Sequence, residues 1–270
     1  TAAAIDFVTE TPPDGAVILT ITGDEEGPST HGTSAIIDWM EENGERMQAC
    51  FVGEPSNPDA MGEMMKIGRR GSATYRIRAT GLQGHAAYPH RARNPLHTLT
   101  RYLNDLIAAP LDSGSDHFEP SGLQIVSVDC GNPASNVIPE RASAVVNIRF
   151  NDLHTAASLA EELTRRAAVL GDETGVVLNI DADVSGEAFV TEPGPFVDLV
   201  LDVVEQQTGR RPILSTSGGT SDARFIKDLC PVVEFGLVGH FMHQVDERVP
   251  QAQVRQLKMI YQRILERFFA

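Results

Sequence analysis

The sequence predicts an α/β protein into which a ferredoxin-like α+β unit is inserted, and three observations lead to this fold class. Short apolar strands and amphipathic helices alternate in residues 1–69 and again in 187–270, a pattern typical of a parallel sheet. Residues 70–186 between them read as strand, helix, two strands, helix and strand, which is the ferredoxin-like order. The strands of this middle region alternate apolar and polar residues, as in an antiparallel sheet with one exposed face. At 270 residues the chain is long enough for two such domains.

The first domain is predicted from apolar runs and helical periodicity. The β-branched run at 16–21 indicates a strand that is buried on both faces. A helix and then a strand at 49–52 follow it, so the two strands are expected to be parallel and to end at one edge of the sheet, where ligand sites lie. The predicted elements are helices at 1–10, 33–42, 196–208 and 254–269 and strands at 16–21, 49–52 and 232–235.

The inserted domain is predicted from the same two periodicities. Leucines at 96, 99, 103 and 106 recur at helical spacing, and residues 72–79 alternate as a strand does. The predicted elements are strands at 72–79, 123–128, 142–150 and 176–184 and helices at 95–108 and 156–170.

Composition excludes several classes of function. The net charge of −15 argues against nucleic-acid binding, which needs basic patches. No apolar run approaches the length of a membrane span, and the first residues do not read as a signal peptide. The three cysteines are odd in number and far apart, which indicates a reducing compartment. We therefore expect a cytoplasmic protein without nucleic-acid or membrane partners.

The acidic turn Gly23-Asp24-Glu25-Glu26-Gly27 is the first candidate for chemistry. Side chains alternate direction in extended backbone, so Glu25 and Glu26 are expected to point in different directions. One carboxylate can then bind a metal while the other faces a bound water as a general base. The alternative is a solvated acidic turn, which is the commoner explanation of such a turn on its own.

Two further residues follow apolar strands of the same domain. Glu54 comes after the strand at 49–52, and His243 lies in the loop after the strand at 232–235. Carboxylates with one imidazole suit zinc or another divalent metal of hard to borderline character. A single Glu before proline or a single loop histidine usually has no such role, and only their joint occurrence favours a metal site.

Other polar residues stand where they can meet a ligand. Glycines flank His85 in the stretch 81–89 and are expected to keep it exposed, although a polar loop histidine is the alternative. The turn at 217–222 offers backbone N–H groups and hydroxyls suited to a carboxylate. Further candidates, each of which can also be an ordinary turn or solvated residue, are Asn136, Arg149, Arg69, Arg70 and Arg224.

These residues lie in motifs that resemble the di-zinc aminoacylase/carboxypeptidase family. The motifs are GDEEG, VGEPS, RRGS, GHAAYP, SNVIP, STSGGTSDARF and the late VVEFG with HQVDE. They occur in the family's order over nearly the whole chain, and VGEPS, GHAAYP and SGGTSDARF are specific, whereas GDEEG alone is not. The resemblance implies a zinc-peptidase-like catalytic domain, an inserted dimerisation (lid) domain and a homodimer.

The resemblance also implies a role for each residue in the motifs. Glu25 is implied as general base, Glu26 and His243 as ligands of one zinc, and Glu54 as a ligand of the other. His85 is implied to polarise the scissile carbonyl in the site of the other subunit. The implied substrate-binding residues are Arg69, Asn136, Arg149, Ser217, Gly218, Gly219, Thr220, Ser221 and Arg224.

The implied activity is hydrolysis of N-succinyl-LL-2,6-diaminopimelate to succinate and LL-2,6-diaminopimelate, a step of bacterial lysine and diaminopimelate synthesis. One alternative is another amidohydrolase of the family, such as an acetylornithine deacetylase, although arginines around the acyl side favour succinyl over acetyl. A second alternative, of a different class, is a non-catalytic dimeric module. Comparing turnover of the two substrates separates the first pair, and metal content per chain tests the module.

One departure from the family pattern concerns the metals. The family places a metal-binding His and a bridging Asp before the acidic turn, whereas the only candidate here is Asp6 within the first helix, and no HxD motif occurs. We therefore expect a sequence that lacks the family's N-terminal segment. The family holds two Zn²⁺ per subunit, with cobalt as a substitute, and we expect this chain alone to hold fewer and to be a poor enzyme.

Overall fold

The computed structural model of the chain describes residues 1–23, 25–27, 30–219 and 221–270. They divide into two compact units. Unit 1 contains residues 1–69 and 190–270, and unit 2 contains residues 70–189. None of the helices in these described ranges is both long and apolar enough to cross a membrane.

The helices and strands are numbered along the chain. They are α1 (Ala2–Glu10), α2 (Thr33–Glu42), β1 (Cys50–Val52), β2 (Met64–Lys66), β3 (Gly68–Arg69), β4 (Gly71–Thr80), β5 (Gly84–His85), α3 (Pro95–Ile107), β6 (Gly122–Asp129), β7 (Val137–Ile138), β8 (Arg141–Phe150), α4 (Ala156–Thr174), β9 (Val177–Gly186), β10 (Phe189–Val190), α5 (Pro195–Thr208), β11 (Ile213–Ser215), α6 (Ala223–Ile226), β12 (Val232–Glu234) and α7 (Gln251–Phe268).

The sheet of unit 1 has the strand order β1-β12-β2-β11. Strand β1 is parallel to β12, with Val52 opposite Glu234, and β11 is parallel to β2. Strands β12 and β2 meet in antiparallel fashion, so the sheet is mixed rather than wholly parallel. Apolar residues of the strands, of α5 and of α7 form its core, including Met65, Val203 and Ile260. The parallel pair β1 and β12 positions Glu54, because both strands end at one edge of the sheet.

The strand predicted at 16–21 is wrong. These described residues form no strand, and the side chains of Ile18, Leu19 and Ile21 are 49%, 51% and 79% exposed. The expected parallel pairing of 16–21 with 49–52 is therefore also wrong. The physical reason is that a strand requires a paired neighbour for its backbone groups, and none of the described strands pairs with this segment. A β-branched composition favours extended backbone but does not supply that partner.

Unit 2 has the predicted ferredoxin-like fold. Its sheet has the order β6-β8-β4-β9, and each neighbouring pair is antiparallel. Helices α3 and α4 contribute Tyr102 and Leu163 to a core with Tyr75 and Val146 of the strands. The opposite face of the sheet carries exposed arginines such as Arg76, so only one face is buried, as the alternating sequence predicted.

Candidate active site

The structure brings together Glu26 and His243, two of the residues expected to share a metal. The Glu26 Oε1 atom lies 3.7 Å from the His243 Nε2 atom, and both side chains are mostly exposed. His243 has a φ of 59°, a left-handed backbone conformation that is uncommon outside glycine and that aims its ring from the loop after β12. A tetrahedral zinc with bonds of about 2.0–2.2 Å separates its ligand atoms by roughly 3.3–3.5 Å. The observed separation is longer than this by a few tenths of an ångström, so the pair is close to the spacing of two ligands of one such ion.

Glu25 and Glu54 lie in an environment that disfavours their charges. Burial, then the negative charges of Glu26 and Asp222, raise the pKa of Glu25, although Arg224 and Arg69 oppose this. Burial and then the charge of Glu25 likewise raise the pKa of Glu54. The carboxylates therefore repel one another, and a bound cation would offset that repulsion.

The metal site is nevertheless only partly assembled in the part of the chain that the structure describes. Within the described residues, no group of three or more His, Cys, Asp or Glu side chains has the geometry to hold a metal ion. Glu26 and His243 thus form a two-ligand pair, and Glu54 interacts with Glu25 and Glu26 electrostatically. The donor set suits a divalent metal in its chemistry, and Asp24 of the acidic turn lies outside the described residues.

The position of Glu54 follows from a close approach of two backbone segments. Beyond the parallel strands, a Cβ on Gly236 would lie 2.3 Å from the Glu54 carbonyl oxygen, so only glycine fits there. The Gly236 N–H donates to the Ser56 hydroxyl at 3.2 Å, and the Tyr261 hydroxyl donates to the Phe235 carbonyl at 2.7 Å. These contacts fix the chain on both sides of Glu54.

Arg69 is buried and fastens the turn that precedes α6. Its guanidinium binds both carboxylate oxygens of Glu234, with Nε at 3.0 and 3.1 Å and Nη2 also on Oε2, while Nη1 donates to the Gly219 carbonyl at 3.0 Å. Glu234 is 1% exposed and also accepts a hydrogen bond of 2.6 Å from the Ser221 hydroxyl. Gly218 has a φ of 103° and passes close to the guanidinium. Direct contact of Arg69 with substrate stays a prediction, because the described contacts hold the turn.

Lys66 is a residue of this site that sequence reasoning missed. It is buried in β2, and its ammonium donates to the Ser217 hydroxyl at 2.7 Å and to the Ser215 hydroxyl at 3.3 Å. The two hydroxyl oxygens are 2.9 Å apart. Lys66 therefore orients the hydroxyl of Ser217. The sequence signal that could have identified this residue is a lysine within the apolar run of 64–67.

The remaining predicted residues of unit 1 lie around α6. Arg224 lies over the ring of Phe225 at 4.7 Å, and its positive charge lowers the pKa of Glu25, which brings it within electrostatic range of the acidic turn. Asp222 accepts hydrogen bonds from two threonines of that region. Thr220, predicted to bind substrate, lies outside the described residues.

His85 and Asn136 share one exposed surface of unit 2. His85 lies in β5, which pairs with β7, and the Ala86 N–H donates to the Asn136 carbonyl at 2.9 Å. The Nδ1 atom of His85 accepts a hydrogen bond of 3.0 Å from the Ala87 N–H. In the neutral ring this places the proton on Nε2, so His85 presents a hydrogen-bond donor to solvent.

Arg149 lies at the other end of unit 2. It is half-buried near the end of β8, opposite Ser72 of β4 and Gly122 of β6. At about 3.3 Å per residue, β8 extends roughly 26 Å from Arg141, next to the His85 region, to Arg149. Within one unit 2, the structure does not bring Arg149 together with His85.

The sequence of the chain is similar to those of named proteins. Residues 67–174 match the peptidase dimerisation domain. The chain is 71% identical over 270 residues to the succinyl-diaminopimelate desuccinylase of Paracoccus denitrificans (strain Pd 1222), covering 100% of this chain and 71% of that protein. It is 59% identical over 269 residues to the succinyl-diaminopimelate desuccinylase of Ruegeria pomeroyi, again covering 100% of this chain and 71% of that protein.

Solved structures share the fold at low sequence identity. The aminopeptidase PepT of Bacillus cereus ATCC 10987 matches with a TM-score of 0.72 and 16% identity, covering 91% of this chain and 63% of that one. A tripeptidase of Staphylococcus aureus subsp. aureus mu50 matches with a TM-score of 0.64 and 16% identity, covering 80% of this chain and 56% of that one. The chain therefore spans less than two thirds of these structures. At this sequence identity, the similarity shows a shared fold and nothing beyond it.

Proposed function

Because the chain belongs to the family of the succinyl-diaminopimelate desuccinylases, we propose that it hydrolyses N-succinyl-LL-2,6-diaminopimelate to succinate and LL-2,6-diaminopimelate. The observation that carries this proposal is the Glu26–His243 pair, together with the carboxylates of Glu25 and Glu54. The pKa values of Glu25 and Glu54 are both raised, which shows that these carboxylates are assembled at an energetic cost. Such clusters favour a functional site over a solvated acidic turn.

Zinc, or cobalt in its place, is the metal that we propose for this site. Glu26 and His243 would hold one ion and Glu54 would be a ligand of the other, and a bound ion would supply a Lewis acid for the amide carbonyl. The residues of the acidic turn then divide their work, with Glu26 as a ligand and Glu25 as the base.

Glu25 moves the proton in this mechanism. As a carboxylate it takes a proton from the attacking water, and as a carboxylic acid it returns that proton to the nitrogen of the leaving amine. Its raised pKa suits both steps, because a base whose pKa lies closer to the working pH is a stronger acceptor and a competent donor. The C–N bond breaks as the amine leaves, and succinate carries the new oxygen.

His85 is proposed to stabilise the oxyanion from the partner subunit of a homodimer. Its Nε2–H is a donor aimed at solvent, as an oxyanion contact requires. The match of residues 67–174 to a dimerisation domain supports a homodimer. The turn of 217–221 and Arg224 would hold substrate carboxylates, and Asn136 and Arg149 stay predicted substrate-binding residues.

The test is release of succinate from N-succinyl-LL-2,6-diaminopimelate by the full chain with Zn²⁺ supplied, compared with deacetylation of N-acetylornithine. We expect the succinyl substrate to be preferred. Faster turnover of N-acetylornithine would contradict the substrate assignment. A chain that binds no Zn²⁺ and hydrolyses neither substrate would favour the non-catalytic module instead.

A further inference from the structure

The carboxylate of Asp222 joins two parts of the chain that are far from it in sequence. Its Oδ2 atom accepts hydrogen bonds from the Thr22 hydroxyl at 2.9 Å and from the Thr33 hydroxyl at 2.7 Å. Thr22 comes just before the acidic turn, and Thr33 is buried at the first residue of α2. The residues on either side of the segment 23–32, which carries Glu25 and Glu26, are thus bonded to one oxygen atom.

These bonds are not those of a helix cap. Asp222 directly precedes α6, where an aspartate usually accepts a hydrogen bond from the backbone of the first turn. The side chain of Asp222 makes no capping bond to this described helix. Its carboxylate is directed at the threonines instead, and capping therefore does not account for an acid at this position.

The residue that precedes Asp222 is itself held in the interior of the protein. Ser221, next to Asp222, is buried and donates to Glu234, which is in turn bound by Arg69. Because its neighbour is anchored in this way, Asp222 can restrain the two threonines that are bonded to its carboxylate. Hydrogen bonds to an ionised acceptor are also stronger than those between neutral groups.

We propose that Asp222 is a positioning residue that holds Thr22 and Thr33, and with them Glu25 and Glu26 in the segment between these two threonines, close to Ser221 and α6. Residues behind metal ligands set the orientation of those ligands. The consequence for metal binding rests on the proposed function, whereas the hold on this segment does not.

The experiment compares Asp222→Ala with Asp222→Asn in the full chain. Alanine removes both hydrogen bonds, while asparagine keeps an amide oxygen that can accept from both hydroxyls. Backbone amide exchange of residues 23–32, followed by mass spectrometry, should be about tenfold faster or more in the alanine variant and within about threefold of the parent in the asparagine variant. Zn²⁺ affinity should fall by roughly 10–100-fold with alanine and be largely rescued by asparagine.

Two further variants keep the test decisive. Thr22→Val combined with Thr33→Val removes the same two bonds from the other side, and should reproduce the alanine result even if Asp222→Ala does not fold. Asp228→Ala, at an exposed acid beyond α6, is the matched control and should change neither the amide exchange of 23–32 nor the Zn²⁺ affinity. Unchanged exchange of 23–32 in the double valine variant would overturn the proposal. Because exchange needs neither metal nor substrate, it decides the positioning role even if the parent hydrolyses no amide.

Discussion

Asp112 in unit 2 and Glu54 in unit 1 are both largely removed from solvent, yet their surroundings act on them in opposite ways. Asp112 accepts hydrogen bonds from the Gly114 N–H at 2.8 Å and the Asn151 amide at 2.7 Å, and it faces His154 Nε2 at 3.0 Å. Burial alone would raise its pKa, but these bonds and those from Ser121 lower it to about 2. The structure of unit 2 thus fully satisfies this charge.

The surroundings of Glu54 act in the opposite direction. Burial and then the charges of Glu25 and Glu234 raise its pKa, with Arg69 opposing them. The pKa of Glu25 is likewise raised by burial and then by neighbouring negative charges. The contrast indicates that Asp112 stabilises a fold, whereas Glu25 and Glu54 are held in a cluster that favours a bound cation or proton.

The largest effect that this comparison predicts is on Glu25. In a chain to which the family's N-terminal segment has been added, Glu25→Gln should lower kcat by about 10²–10⁴-fold, because the base is lost while the side chain keeps its size. It should also keep its Zn²⁺, whereas Glu26→Gln should lose it. The measurements are succinate release and metal content of each variant, with Glu41→Gln on the exposed surface of α2 as control. Equal metal loss in the Glu25 and Glu26 variants would contradict the division of roles.

Glu234 sharpens the comparison, since it is a carboxylate of unit 1 that is fully paired. Glu234→Gln leaves Arg69 buried opposite a neutral group and should destabilise the protein by about 3–5 kcal/mol. Combining Arg69→Met with Glu234→Leu removes both charges and should recover much of that loss. Denaturant unfolding measures both, with the exposed pair Arg101–Glu173 as control. A double variant no more stable than the single one would show that the pair is not the cause.

Asp112 predicts a pH dependence. Its folded pKa of about 2 lies below the ordinary value of 3.8, so its contribution is present above about pH 4 and lost as the pH falls towards 2. The parent should lose about 2 kcal/mol more stability than Asp112→Asn between pH 5 and pH 2. Unfolding at several pH values tests this, with exposed Asp116→Asn as control. Parallel pH curves for parent and Asp112→Asn would refute it.

The smallest expected signal comes from mixing subunits. His85→Ala and Glu25→Gln should each be nearly inactive alone, but a mixed dimer has one site with both groups intact. Random mixing should therefore restore about a quarter of the parent activity if His85 acts on the partner's site. Mixed dimers that demonstrably form and recover nothing would exclude action in trans.

Local patterns were sufficient to predict the four-stranded sheet and the two helices of unit 2, because these strands of eight to ten residues and these long helices carry clear periodicity. They failed at 16–21, since an apolar β-branched run does not reveal whether a neighbouring strand pairs with it. Strands of three residues, such as β2 and β11, are too short to show any period.

The residues of the candidate site were likewise predictable only in part from the sequence. The motifs identified Glu26 and His243, which the structure brings together. The contacts of Lys66 with Ser217 and of Asp222 with Thr22 join residues about 150 and 200 positions apart, and no local spacing encodes them. Such contacts exist only after the sheet has assembled.

The most direct test of the account is a double-mutant cycle on Zn²⁺ affinity, measured by calorimetry for the parent chain, Glu26→Gln, His243→Ala and the double variant. If both side chains hold one ion, each single change should weaken binding by about tenfold or more, and the double variant should be little weaker than the worse single one. Zn²⁺ affinity that is unchanged in both single variants would contradict the claim that this pair is a metal site.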